Sequence, residues 1–471
     1  MSDLALPPLM PGGLLFGSGP EAVADPLALY TRAQRTLGDV VRLRGIPGIS
    51  WYLITHPAGV EHVLRTRGRN YRKPDRFNAP VRMLAGNGIL ASEGDTWLQN
   101  RRLMQPAFHR HRLAGLVAQM AESAELALER WDRLAAEGAV VDVGEEMLRL
   151  TLRIVGTTLF SHDLSGEASV LGQAIRTSFA TVSRRMTMPL AAPQWLPTRE
   201  NRRFASARDV VHRTVDAMIA ERRRSGRELP DLLQTLLDAR DADTGARMDD
   251  RQVRDEALTL MIAGHETAAA SMSWMWYLLA RSPDAAATLR EELDSVLGGR
   301  TPGVEDLPRL PYTRAVFDET LRLYPPAWGQ PREPVEEDEI GGYRIPARNI
   351  VMVCQWVTHR RPDLWDRPDD FLPERFVGAA KDAIVPWSYY PFGGGARQCI
   401  GNSFALMEAQ VVLATLAQRF EPELVPGQEV VPDATFTLRP KHGVRMRIRR
   451  RASAPAISAP PADVARGMTP A

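Results

Sequence analysis

A mainly α fold with a smaller β-rich part, assembled as one integrated domain, is predicted by three features of the 471-residue sequence. Long stretches such as "LAGLVAQMAESAELALERWDRL" repeat apolar residues at three- and four-residue spacing, the period of an amphipathic helix. Strand-like pieces are few and fall in distant places: "DVVRLRG" and "SWYLITH" early, then "EIGGYRIP", "NIVMVCQWVTH" and "GVRMRIRR" late. No fixed-period repeat or long linker divides the chain, so these strands must pair across it. The domain is expected to cover residues 1–450. The remainder, 451–471, reads "RASAPAISAPPADVARGMTPA" and is expected to be a disordered tail, rich in Ala, Pro and Ser.

Composition narrows the function classes. Apolar residues make up 44% and charged residues 25%, ordinary for a globular protein with a large core. Lys and Arg number 59 against 57 Asp and Glu, a net charge of +2 that gives no global case for nucleic acid. No apolar run approaches the roughly 18 residues of a membrane span. The opening "MSDLALPPLMPGGLLFG" lacks a basic start and is broken by prolines, unlike a signal peptide. Two cysteines, Cys354 and Cys399, imply no disulfide framework. The expected setting is the cytoplasm.

The central helical segment is "DDRQVRDEALTLMIAGHETAAASMSWMWYLLAR", from Asp249 to Arg281. Asp249 or Asp250 suits its cap, and Arg281 before Ser-Pro suits its end. At 1.5 Å per residue it would be about 50 Å long. It is apolar almost all round after its first turns, as a helix through the core would be. Yet Gly264, His265, Glu266 and Thr267 stand in its middle. A mid-helix Gly and a buried carboxylate each violate local preference, and such violations gather where function demands them. Thr267 can bond back to the carbonyl of residue 263, loosening the helix there.

Near the C-terminus, "PFGGGARQCIGNSFALMEAQ" places Cys399 behind three glycines and Arg397, just ahead of an apolar-periodic helix. A lone Cys is ordinarily a small buried hydrophobe. Here a helix N-terminus favours a thiolate, and the glycines permit close approach to a flat partner. Zinc would need further nearby ligands, a phosphate loop would need Gly-Lys-Ser/Thr, and a thiol nucleophile would need a base. A single axial thiolate on haem iron, with cations for the propionates, fits better.

These residues carry a family resemblance. "FGGGARQCIG", Phe392 to Gly401, is similar at every defining position to the haem-binding loop of the cytochrome P-450 superfamily. "ETLR" (Glu319–Arg322) before "LYPP", "PERF" (Pro373–Phe376) and "AGHET" (Ala263–Thr267) resemble its other blocks in the expected order. The resemblance covers roughly residues 10 to 450. It implies a long central helix over haem b, with Cys399 as axial iron ligand and Phe392 beside it. It assigns Trp97, Arg101, Arg332 and Arg397 to the haem propionates. Glu319, Arg322 and Arg375 become a buried network that holds the haem loop. Glu266 and Thr267 become a catalytic proton relay, with His265 a packed neighbour.

The resemblance further implies a monooxygenase that inserts one atom of O2 into an apolar small molecule by hydroxylation or epoxidation. Electrons from NAD(P)H would arrive through a separate ferredoxin and ferredoxin reductase, since no reductase domain follows the haem region. A peroxide-driven peroxygenase, a haem-thiolate sensor and a haem-free thiol hydrolase are the rivals. The Glu266–Thr267 pair speaks against the first two, and the colour of the protein decides the third. A substrate pocket is expected from Leu260, Ala263, Thr267, Trp328 and Phe436, mostly apolar, with a terpenoid or other secondary metabolite favoured. The protein is expected to be monomeric. Cys354 is expected in a core strand. Arg102, Arg110 and Arg112 are expected to offer a basic face to the ferredoxin.

Overall fold

A computed structural model of the chain describes residues 4–45, 50–188, 191–240, 245 and 247–452. All but the first two residues of the expected tail therefore lie outside the described residues.

The main sheet has five strands, in the spatial order Val40–Arg44, Ser50–Ile54, Ile350–Val353, Gln330–Pro334 and Tyr71–Arg72. Its middle is a parallel pairing of Trp51 with Ile350 and of Ile54 with Val353, which joins segments about 300 residues apart. Side chains alternate across it as the two-residue period of a strand requires. Val40, Tyr52, Ile54, Val351 and Val353 enter one buried cluster; Val41, Leu43, Trp51, Leu53 and Met352 enter another on the opposite face. Cys354 is fully buried in the second cluster, as a core residue. Early and late segments of the chain are thus joined in one sheet.

The largest cluster surrounds the central helix, Asp250–Arg281. Its start is set by Asp249, whose side chain accepts the amide of Gln252 at 2.7 Å. Packing against the helix Val143–Phe160 explains its mid-helix glycine: a Cβ on Gly264 would come within 3.2 Å of Val155. Between Asp255 and Leu279 every residue is buried except Ala263, Gly264 and Thr267. Two of these three are one helical turn apart, so a single face opens at the centre of the core.

Three further helices position the site. Gly94–Met104 carries Trp97 and Arg101, Pro311–Leu323 carries Glu319 and Arg322, and Asn402–Ala417 follows the cysteine loop.

Candidate active site

The cysteine loop is shaped by its backbone. The amide of Cys399 donates to the carbonyl of Phe392 at 2.9 Å, and a short 3-10 turn spans Gly395–Arg397. Gly395 has φ +65°, and a Cβ there would meet the carbonyl oxygen of Leu64 at 1.9 Å. Only glycine fits that combination of left-handed backbone and close approach. Cys399 is exposed at the rim of this loop, two residues before the cap Gly401 of the following helix. Its surroundings in the protein nevertheless desolvate the thiol and push its pKa up, against the Gly401 amide and the Arg101 guanidinium, which favour the thiolate. The helix terminus expected to dominate is here outweighed by desolvation.

Glu319, Arg322 and Arg375 meet behind this loop. Arg322 is fully buried and uses all five of its N–H donors. Two reach the carboxylate of Glu319 at 2.6 and 2.7 Å. The others reach the carbonyls of His359, Pro368 and Asp370 at 2.9, 2.6 and 3.0 Å. Glu319 also accepts the amide of Leu372 at 2.9 Å and lies 3.4 Å from the Arg375 guanidinium. His359 is threaded into the same assembly: its Nε2 accepts the amide of Tyr390 at 3.0 Å. One ion pair thus ties the helix Pro311–Leu323 to the segment that leads into "PERF" and to Arg375 within it.

The expected propionate cations also converge, with differences in their partners. Arg397 makes a bidentate pair with Glu93 at 2.6 and 2.5 Å, and its guanidinium stacks over the ring of Trp97 at 4.6 Å. Arg101 donates to the carbonyl of Gln398 at 2.8 Å, which fixes it beside the cysteine. Arg332 lies on the strand Gln330–Pro334, where its hydrogen-bond partners among the described residues are the Pro331 carbonyl and the Gln330 side chain. Burial, reinforced by nearby Arg397, lowers its pKa to about 10.

Lys73 joins the group and was not foreseen from sequence. Its ammonium donates to the carbonyls of Ile89, Leu90 and Ser92 at 3.1, 2.7 and 2.9 Å. Burial pulls its pKa down to about 7; Glu93 opposes that shift, while Arg397 and Arg332 add to it. Its signal was compositional: it is one of three lysines in a chain that otherwise uses arginine.

On the central helix, the hydroxyl of Thr267 donates to the carbonyl of Ala263 at 2.6 Å. Glu266 is buried; one carboxyl oxygen accepts the hydroxyl of Thr437 at 3.2 Å and the other has no partner among the described residues. Burial raises its pKa to about 7. Thr437 directly follows Phe436, the residue expected from sequence in the pocket wall. His265 is a packed neighbour: its Nε2 faces the carbonyl of Leu148 at 3.0 Å, and burial pushes its pKa down to about 4. Leu260 is in the same buried cluster. Phe436 stacks on Phe179 at 4.6 Å. Trp328 differs from its pocket companions, because its ring packs with Tyr30 beside the main sheet. Its indole N–H reaches the carbonyl of Thr435 at 3.4 Å, next to Phe436.

One exposed thiol, four basic side chains of which Arg397 alone among the described residues is hydrogen-bonded to a carboxylate, and a helix opened on one face suit a flat, dianionic group with an iron centre. Arg332, half-buried and without a carboxylate at hydrogen-bond distance among the described residues, is what such a group would satisfy. Cys399 would hold the iron; Arg101, Arg332, Arg397 and Trp97 could hold the propionates, with Lys73 adding its charge nearby. The class so defined is a haem-thiolate protein.

The chain belongs to the cytochrome P-450 family, whose model matches residues 7–446. Cyclooctatin synthase of Streptomyces melanosporofaciens is 36% identical over 430 residues, 91% of this chain and 92% of that protein. Cyclooctat-9-en-7-ol 5-monooxygenase of the same organism is 36% identical over 422 residues, 87% and 90% of the two chains. Pentalenene oxygenase of Streptomyces avermitilis is 34% identical over 422 residues, 89% and 91%. The protein is a cytochrome P-450 monooxygenase, with haem iron and O2 as the family's working groups. Among the described residues no helix is long and apolar enough to cross a membrane.

Proposed function

We propose that this protein, as a monomer, hydroxylates or epoxidises an apolar terpenoid, using electrons from a separate ferredoxin and ferredoxin reductase. The observation that carries the reading is the opening of the central helix at Ala263, Gly264 and Thr267, beside an acid that titrates near neutrality. The similarity to three oxygenases with terpenoid-type names supports the substrate class.

When bound, the haem supplies activation of O2, a process that consumes two electrons and two protons. Glu266 can hold a proton at its unpartnered carboxyl oxygen and release it, since near pH 7 both forms are populated. The Thr267 hydroxyl donates its one proton to the Ala263 carbonyl and so presents its oxygen as an acceptor at the open face, where a proton can be passed to it as the hydroxyl turns. Leu260 and the stacked Phe179 and Phe436 provide apolar contacts and no charge. Titrating the haem-loaded protein with terpenes, terpene alcohols, fatty acids and macrolides, and following the displacement of iron-bound water spectrally, tests the substrate class. Terpenoids should bind most tightly; tighter binding by fatty acids or macrolides would sink it.

For the electron donor, the exposed Arg110 and Arg112 beside His109 and His111 support docking of an acidic partner. Arg102, expected on the same face, is engaged within the chain. Charge reversal at Arg110 and Arg112 should slow reduction by ferredoxin and weaken its salt dependence, while peroxide-driven turnover persists. An unchanged rate at low salt would move the docking face elsewhere.

A further inference from the structure

Glu256 is a second buried acid on the central helix, and the relay does not use it. One of its carboxyl oxygens accepts the amide of Ile89 at 2.8 Å, and the other has no partner among the described residues. Thr259, nearly one turn further on, is buried with its hydroxyl oxygen equally unpartnered. We propose that Glu256 and Thr259 hold a file of water molecules that carries protons from solvent to the open face at Ala263 and Thr267, by a route separate from Glu266.

The helix period sets out the route. Gln252, Glu256, Thr259, Ala263 and Thr267 follow one another at steps of four, three, four and four residues, so they form one stripe. At a rise of 1.5 Å per residue, successive members stand about 4.5–6 Å apart along the axis. One water, with two hydrogen bonds of about 2.8 Å, spans such a gap. The outer end reaches the start of the helix, where Gln252 is half-buried. Its side-chain amide donates to the side-chain carbonyl of the buried Asn100, whose own amide nitrogen is unpartnered among the described residues.

The segment 86–90 roofs the stripe. Asp255 accepts the amide of Asn87 at 2.8 Å, Glu256 accepts that of Ile89, and a Cβ on Gly88 would collide with the Thr259 hydroxyl oxygen. Backbone pressed this closely shuts out bulk solvent, yet the polar atoms beneath it still need hydrogen bonds, which ordered waters supply. These atoms run from the interior to the start of the helix, as a conduit requires; an anchor for a substrate hydroxyl needs only an inner end. Burial raises the Glu256 pKa to about 8; the Ile89 amide opposes this, Asp255 adds to it, and Lys73, itself 4.0 Å from Glu93, opposes it. At neutral pH the carboxyl therefore holds a proton. It passes that proton inward and regains one from the Gln252 side, so its charge is restored and no electron moves. The proposal rests on the relay reading above, since both routes supply the same open face.

The test uses the haem-loaded full chain and the tightest-binding compound of the titration above, whatever its class. Glu256→Gln keeps an acceptor for the Ile89 amide, and Thr259→Val keeps the branched shape without the hydroxyl. Infrared difference spectra, taken without turnover, should show a protonated carboxyl titrating at about 8 in the wild type and in Glu266→Gln, and missing from Glu256→Gln. With electrons from an added ferredoxin and its reductase, Glu256→Gln or Thr259→Val should slow turnover by less than about 10-fold, because Glu266 remains. Glu256→Gln combined with Glu266→Gln should slow it by about 100-fold or more. Hydrogen peroxide brings its own two protons, so peroxide-driven turnover should stay near wild type in every variant, and so should affinity for the compound. A carboxyl band that persists in Glu256→Gln, or a double variant no slower than Glu266→Gln, overturns the inference. Lower affinity in Glu256→Gln and Thr259→Val, with peroxide-driven turnover lowered equally, also overturns it and makes the pair a substrate anchor. Normal turnover and coupling in Glu266→Gln alone would sink the relay reading; the infrared and Thr259→Val results then decide for Glu256 by themselves.

Discussion

Glu319 and Glu266 are both glutamates on buried helices, and the structure treats them in opposite ways. Glu319 has Arg322 on both oxygens, the Leu372 amide on one, and Arg375 nearby. Glu266 has one hydroxyl on one oxygen and no partner among the described residues on the other. Behind the cysteine loop, saturation makes a scaffold that gains nothing by moving a proton. On the central helix, under-satisfaction leaves a carboxyl whose two protonation states are close in energy near neutral pH. One of these two buried carboxyls is saturated and the other is not.

The largest effect should come from breaking the saturated side. Arg322→Ala leaves a buried carboxylate and several carbonyls without donors, and should cost about 3–5 kcal/mol of stability. Denaturant unfolding and haem retention measure it. A loss no greater than that of an exposed surface pair, about 1 kcal/mol or less, would mean the network is ornamental. Removing an acid from the under-satisfied side should do the reverse. The folded carboxyl of Glu266 titrates near 7 rather than 4.5, so the unfolded chain loses its proton first as pH rises. Folding stability therefore falls between pH 4.5 and 7, by about 3 kcal/mol over the interval. Glu266→Gln should abolish that decline, flattening the pH dependence of unfolding. An unaltered slope would show that Glu266 is paired in solution. In turnover, Glu266→Gln and Thr267→Ala should leave substrate binding near wild type while diverting electrons to hydrogen peroxide. Unchanged product yield per electron in both would remove them from the relay.

Local signals were legible, and partners supplied from far away were not. Asp249 caps the central helix as its sequence suggests, and Thr267 bonds back to residue 263, because both contacts lie within one turn. The spacing of Glu319 and Arg322 likewise placed them on one face. The Glu93–Arg397 pair and the carbonyl cage around Lys73 join segments with no periodicity in common, so no pattern announces them. Arg397, assigned by resemblance to a propionate, is held here by Glu93, a residue that no motif singled out. Strands were missed for a related reason. Phe420–Leu424, "FEPEL", holds a proline and two glutamates, and its pairing with Arg445–Arg450 overrides poor strand propensity.

The contact between Gly395 and the carbonyl of Leu64 bears on how the molecule is made. The cysteine loop lies some 330 positions downstream of the wall it presses against, and Glu93, which grips Arg397, is almost as far away. During synthesis from the N-terminus the early segments emerge long before the loop that will rest on them. Closure over such distances is slow, and the loop cannot take its shape until both ends are present. A ribosome stalled before residue 400 would thus carry most of the helical core and none of the iron-binding geometry. Capture of haem through Cys399, as proposed, would wait until that loop has emerged and closed on those early segments.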